Sequence, residues 1–273
     1  MSRAASSTGS STASTKSKPP PPDGQAAIRY AVISDVHANL EALTAVLADA
    51  AGQGALGVLC LGDLVGYGAD PVACVETVGE RASAMVAGNH EHAALGLLDL
   101  RWFNPWARAA ARWTGEQLDD GHRGFLTDLP LIRTMEDATL VHASPRSPEE
   151  WDYLVSEEDG LQVFGDFDTR LCFIGHSHLP GVWSVGSGGP EHRGRLDRPE
   201  AQVRLDDGRR YLVNVGSVGQ PRDRDPRACY AIWDREARSV TIRRVSYDHR
   251  AAAAKILAAG LPRALADRLA HGS

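Results

Sequence analysis

The chain has 273 residues, 43% of them hydrophobic and 23% charged, with a formal net charge of −6. That length and apolar content suit one large domain or two small ones with a full core. The acidic balance argues against a general nucleic-acid binder, which needs a basic face, and no run approaches the roughly 18 apolar residues that membrane insertion requires.

Residues 1–27 are rich in Ser, Thr, Ala and Pro, include the run Pro19 to Pro22, and hold no large apolar residue after Met1. Such a segment cannot bury enough surface to order itself, and it lacks the apolar core of a secretory signal. It reads as a solvated tail of charge +2 (Arg3, Lys16 and Lys18 against Asp23), leaving −8 on the body. Residues 28–273 read as a single domain. Within it 28–34 reads as a strand, 39–51 as an amphipathic helix, 56–61 as a strand, 71–81 as a helix and 83–87 as a strand. This alternation predicts a parallel sheet with right-handed crossovers. Helices follow from His90 to about Asp128, with Trp102, Trp106 and Trp113 on an apolar stripe expected in the core. Strands return at 131–135, 138–142, 171–175, 181–185, 202–205, 210–215, 228–233 and 239–246, a spacing that predicts a second, mostly antiparallel sheet. Residues 186–200, rich in Gly, Pro and Arg, read as a mobile hairpin loop. The chain closes with helices at 249–259 and 262–270; Gly260 stops the first and Pro262 opens the second. Two sheets facing each other with helices outside make a four-layer αββα sandwich. Cys60, Cys74, Cys172 and Cys229 fall on predicted strands or helices with no CxxC pair, which fits reduced thiols and a cytoplasmic protein.

Five of the apolar runs end in residues able to hold a metal. They lead into Asp35-Val36-His37, Asp63, Asn89-His90, His142 and His176-Ser177-His178. Functional groups in open α/β sheets collect beyond the carboxyl ends of strands, so these side chains are expected on one rim. Singly, each has a bland reading as a turn residue or cap, and Asn89 suits a helix N-cap. In order, and each after an apolar run, they point to a metal centre. Eight candidates exceed the needs of one ion and suit two, roughly 3.5–4 Å apart, sharing a carboxylate. Imidazole, carboxylate and amide donors without thiolate fit Mn, Fe, Zn, Co or Ni. His92, His122, His192, His249 and His271 follow no strand and read as solvated or capping, His92 lying nearest the rim.

These motifs, Asp35-x-His37, Gly62-Asp63, Gly88-Asn89-His90-Glu91, His142 and Gly175-His176-x-His178, resemble the calcineurin-like metallophosphoesterases. Ser34 to Leu43, Gly62 to Gly68 and Asn214 to Arg222 resemble their small bacterial and archaeal members, described as predicted phosphodiesterases. The resemblance runs from about Ile28 to about Leu269. It implies an α/β (α+β) fold, the four-layer αββα sandwich of two facing mixed sheets known as the metallo-dependent phosphatase fold. It also implies that Asp35, His37 and His178 hold one divalent ion, Asn89, His142 and His176 a second, and Asp63 both. His90 would be general acid or hydrogen-bond donor at the leaving oxygen. The implied reaction is hydrolysis of a phosphodiester, nucleotide-type included, by a metal-bridging hydroxide. A phosphomonoesterase or protein phosphatase, and an inactive metal-binding scaffold, stand as alternatives.

Asn39, Tyr67 and Arg222 are expected to meet a small phosphorylated substrate, with Ser144, Trp151, Tyr153 and Gln220 nearby on the rim. Arg222 offers a planar fork suited to phosphoryl oxygens. The sequence departs from the phosphoprotein phosphatases in having no Asp-Arg-Gly after Gly62-Asp63. It also carries Glu91 where many small phosphodiesterases have Asp, and Val215 where relatives commonly have Pro. Uncovered edge strands leave a homo-oligomer open.

Overall fold

The computed structural model describes residues 29–135, 137–186, 188–193 and 201–273. The expected tail, and residues 187 and 194–200 of the expected hairpin loop, lie outside the described residues. In chain order the strands are β1 (Arg29–Ile33), β2 (Gly57–Cys60), β3 (Ala82–Met85), β4 (Ile132–Met135), β5 (Ala138–Val141), β6 (Leu171–Ile174), β7 (Gly181–Gly186), β8 (Glu191–Arg193), β9 (Ala201–Arg204), β10 (Arg209–Asn214), β11 (Ala228–Asp234) and β12 (Ser239–Val245). The helices are α1 (Leu40–Gly52), α2 (Pro71–Arg81), α3 (Asn89–Ala94), α4 (Pro105–Gln117), α5 (Asp120–Thr127), α6 (Glu157–Gln162), α7 (His249–Ala258) and α8 (Arg263–Asp267).

Strand alternation sets the layers. Tyr30 and Val32 of β1 join one core cluster while Ala31 and Ile33 join another, so both faces of the strand are buried. On one face Leu43 and Val46 of α1 and Val75 and Val78 of α2 cover the sheet. On the other, Val32, Leu59 and Val86 meet Leu140, Phe173 and Val213 of the second sheet. Trp233 ties this inter-sheet core, its ring 5.6 Å from both Tyr30 and Phe173. The second sheet's outer face is covered by Leu161 of α6 and by Leu154, Val163, Phe164 and Phe167 of the segments flanking it. The result is the expected αββα sandwich, its fourth layer thin. α6 is not among the expected elements, although its start is a capping box: Asp159 N donates to Ser156 Oγ at 3.1 Å and Ser156 N donates to Asp159 Oδ2 at 2.8 Å.

The strand orders are β3-β2-β1-β11-β12-β9 and β4-β5-β6-β10-β7-β8. As expected, β1, β2 and β3 are parallel. The second sheet is antiparallel in three of its five pairings, β4–β5, β10–β7 and β7–β8, as expected, but the expected membership needs correction. β9, β11 and β12 return to the first sheet, where β11 pairs antiparallel with β1, β12 with β11 and β9 with β12, while β5, β6 and β10 form a parallel centre in the second. Strand spacing cannot encode this, because partners are chosen across long connections. The loop expected at 186–200 includes a strand, since β8 pairs with β7.

The tryptophan stripe is also corrected. Trp102 sits in a 3-10 turn (Leu100–Trp102) and is 89% exposed, Trp106 is 49% exposed, and Trp113 packs against the α7–α8 cluster. Gly96, at φ +77°, and Asn104, whose side chain caps α4, break the helical run. Helical spacing therefore does not carry across the segment. All four cysteines are free and buried, and among the described residues no helix is long and apolar enough to cross a membrane.

Candidate metal centre

Asp35, His37, Asp63 and Asn89 follow β1, β2 and β3 of the first sheet, and His142, His176 and His178 follow β5 and β6 of the second. Five of these, Asp35, His37, Asp63, His176 and His178, have φ between 51° and 63°. This left-handed region costs a non-glycine residue roughly 1–3 kcal/mol and persists only where the surroundings enforce it. Here the strand-end loops enforce it on one another. Asp35 N donates to Gly62 O at 3.1 Å, His37 N to Asp63 O at 2.9 Å, Gly175 N to His142 O at 2.8 Å and Gly219 N to Asp35 O at 2.9 Å.

The side chains converge as two buried groups, Asp35–His37–His178 and Asp63–His142–His176, whose ligand-type atoms lie within 4.8 Å of one another in each group. A third group, His37–Asp63–His90, overlaps them. His178 Nε2 is 3.2 Å from Asp35 Oδ1, and His142 Nε2 is 3.3 Å from Asp63 Oδ2. His37 Nε2 stands 3.7 Å from a carboxylate oxygen of each aspartate.

The tautomers follow from the backbone. His37 Nδ1 lies 3.1 Å from Val65 O, and His178 Nδ1 contacts Gln220 O. A carbonyl only accepts, so both Nδ1 atoms carry the hydrogen. Burial lowers both pKa values, His37 to well below the usual range, leaving neutral rings. Their Nε2 lone pairs nevertheless face each other at 3.1 Å. Two such lone pairs at that distance, beside Asp35 Oδ1, suit a shared cation. Asp35 Oδ1 and Asn89 Oδ1 are likewise buried with no hydrogen-bond partner. Asn89 therefore does not cap α3. These open nitrogen and oxygen donors fit a divalent transition metal.

Charge is balanced within the cluster. Burial would raise Asp35, but His178 and His142 hold it below the usual carboxylate range. Burial would likewise raise Asp63, and His142 and His90 hold it well below. His142 moves the other way: against burial, Asp63 raises it to about 9, while its Nδ1–H is placed 2.9 Å from Leu61 O. Burial lowers His176 to about 3 and His90 to about 4.

A cleft of about 600 Å³ opens onto this cluster, lined in part by Asp63, Asn89, His90, His176 and His178. His90 is held by its own backbone N–H, which donates to Asp63 Oδ1 at 2.9 Å, and its Nδ1 has no partner. Tyr67 and Arg222 line the cleft, and Arg222 Nη2 donates to Tyr67 Oη at 3.3 Å and Gln220 Oε1 at 3.2 Å. Trp151 and Tyr153 line it as well, whereas Gln220 is buried beneath Arg222 and Ser144 Oγ accepts from Arg146 N. Asn39, expected to contact substrate, does not line the cleft. Its Oδ1 accepts from Ala42 N at 3.1 Å as the cap of α1, and its Nδ2 donates to Gly219 O at 2.9 Å and Tyr247 Oη at 3.2 Å. His92 comes close through Trp151, whose ring meets His92 at 5.3 Å and His142 at 6.0 Å.

Glu91, expected only to mark a subgroup difference, organises the site. Its Oε2 accepts from Asp63 N and Gly88 N, both at 2.7 Å, and its Oε1 from Leu64 N at 2.7 Å and Val65 N at 3.3 Å. Burial, with Asp63 beside it, raises Glu91 to about 7 against the pull of these N–H groups. A Glu three residues after Gly88 at the start of a helix is the signal that could have marked it.

The family model for the calcineurin-like phosphoesterase superfamily domain matches residues 28–238. An uncharacterised protein of Methanocaldococcus jannaschii is 41% identical over 247 residues, 89% of this chain and 97% of that protein. A solved metallophosphoesterase from Sphaerobacter thermophilus is 42% identical with a TM-score of 0.79, over 91% of this chain and all 100% of the other. A hypothetical protein from Pyrococcus horikoshii shares the fold, with a TM-score of 0.69 at 20% identity, over 90% of this chain and 98% of its own.

Proposed function

The chain belongs to the calcineurin-like phosphoesterase superfamily and is a hydrolase of phosphoric esters; on that premise we propose that it cleaves a nucleotide-type phosphodiester at a centre of two divalent ions. Asp35, His37 and His178 hold one ion, Asn89, His142 and His176 the other, and Asp63 both. The ions come from the set Mn, Fe, Zn, Co and Ni. The observation that carries this reading is the 3.1 Å approach of the two unprotonated Nε2 atoms of His37 and His178. Once bound, the ions supply Lewis acidity and a nucleophile at neutral pH.

The chain's own residues do the rest. His90, neutral near pH 7 because burial lowers it to about 4, offers a ring N–H to the leaving oxygen. Arg222 presents its guanidinium fork to the phosphoryl oxygens from beside Tyr67. A diester fits this setting better than a monoester. It carries one negative charge and two organic arms, and the cleft offers Arg222 on one side with Glu149 and Glu150 also lining it. Those exposed carboxylates give back part of what a second negative charge would gain at the ions. Four buried free thiols favour a reducing compartment, so we place the activity in the cytoplasm.

The test compares bis-p-nitrophenyl phosphate with p-nitrophenyl phosphate in Mn²⁺, Ni²⁺ or Zn²⁺, with an EDTA control. The reading requires diester turnover that EDTA abolishes and that Asp63→Asn reduces by about 100-fold or more. Preference for the monoester replaces the diester reading with a phosphomonoesterase. Metal-loaded protein that turns over neither ester is a scaffold.

A further inference from the structure

Resting on the phosphodiesterase reading, we propose that Trp102 and Tyr153 clamp a nucleobase on one arm of the substrate, with Glu149 and Glu150 accepting hydrogen bonds from its N–H edge. All four side chains line the cleft that opens on His90 and the metal-ligand cluster.

The first support is the placement of exposed aromatics. Trp102 is 89% and Tyr153 54% exposed, and both line this one cleft. Large apolar faces gathered in one cleft, rather than scattered over the surface, mark a binding site. The second is rigidity beneath them. Tyr153 stacks on His176 with centroids 4.1 Å apart at 25°, so one face is fixed against the metal-ligand cluster. The turn carrying Trp102 is pinned by Asp99, which accepts from Arg101 N at 2.9 Å, and by Arg108, which donates to Leu100 O and Phe103 O, each at 3.1 Å. The Tyr153 ring, already stacked on one face, loses little entropy when a planar group meets the other, while the pinned turn fixes the point from which Trp102 reaches.

The third support is chemical selectivity. Aromatic faces alone would accept a lipid tail, but carboxylates beside them penalise hydrocarbon and repel further phosphates. Carboxylates accept hydrogen bonds from the amino groups of cytosine, adenine or guanine. A single base joined to a single phosphodiester satisfies the aromatic rings, the acids and Arg222 together. Bases with an exocyclic amine fit better than uracil, which has one N–H and two carbonyls facing the acids.

The experiment titrates the metal-loaded full chain with CMP, GMP, UMP and ribose 5-phosphate by equilibrium dialysis. CMP and GMP are expected to bind about tenfold tighter than ribose 5-phosphate, with UMP between. Trp102→Ala and Tyr153→Ala should each weaken CMP and GMP about tenfold while ribose 5-phosphate is unmoved, and Tyr153→Phe should restore the loss. Trp106→Ala, outside the cleft, should shift none of them. Equal binding of all four ligands, or a Trp102→Ala loss shared by ribose 5-phosphate, overturns the clamp. Base-dependent binding without diester hydrolysis would defeat the phosphodiesterase reading and leave the clamp standing; hydrolysis with base-independent binding does the reverse.

Discussion

Glu91 accepts the backbone N–H of Asp63 at 2.7 Å, and the next residue back, His90, donates its own N–H to the Asp63 carboxylate at 2.9 Å. The start of α3 and the loop after β2 therefore hold each other. Glu91→Gln places an NH₂ where some of four backbone donors now find an acceptor. It should weaken metal binding about 10- to 100-fold with the fold retained. Metal content after dialysis, with circular dichroism as the control, measures this; unchanged metal retention would show that the clamp is dispensable.

Metal uptake should release a proton. In the metal-free protein His142 titrates near 9, while His37, His178 and His176 are lowered by burial. Between about pH 6 and 8, affinity at the ion site that includes His142 should rise about tenfold per pH unit, and the His37–His178 site should stay flat. Calorimetry in buffers of different ionisation enthalpy reads the proton directly. The sign for stability is opposite. A raised histidine pKa stabilises the metal-free fold fully below about pH 6.5, and this contribution is lost as pH climbs through about 9. The metal-free Tm should fall over that window.

For His90→Ala we expect kcat to drop about 10²- to 10³-fold with metal content unchanged, because the proposed centre has seven other ligands and leaves this ring to the cleft; lost metal would instead make the His37–Asp63–His90 group a ligand set. Because burial already keeps His90 neutral near pH 7, kcat in the native protein should show no limb between pH 6 and 7 that the substitution removes. A wild-type profile with such a limb would assign the ring a cationic role instead.

Gly175 is a packing constraint at the same site. A Cβ there would overlap Ser34 Oγ and Asp35 Oδ2. Gly175→Ala should cost about 1–3 kcal/mol of stability and displace Asp35, lowering metal content as well as Tm. Denaturant unfolding with and without added Mn²⁺ separates the two effects.

The proposed ligands were legible because each follows a short apolar run, which strands buried on both faces, such as β1, β2, β5 and β6, write without interruption. The capping and bridging role of Asn39 is hidden in the sequence because its amide partners, Gly219 and Tyr247, lie some 180 and 208 positions away. Trp102 was misread because one glycine and one capping asparagine break the helical phase around it. The return of β9, β11 and β12 to the first sheet depends on pairing partners, which local composition does not specify. Glu91 was visible as a residue but not as a device, since its four partners are backbone N–H groups.

The donors are divided between the two sheets, with Asp35, His37, Asp63 and Asn89 on one side and His142, His176 and His178 on the other. Occupation would rivet one half of the sandwich to the other across their shared seam. Chelation would then loosen that seam while leaving each sheet's own ladder intact, so amides beside β5 and β6 should exchange faster long before the molecule melts.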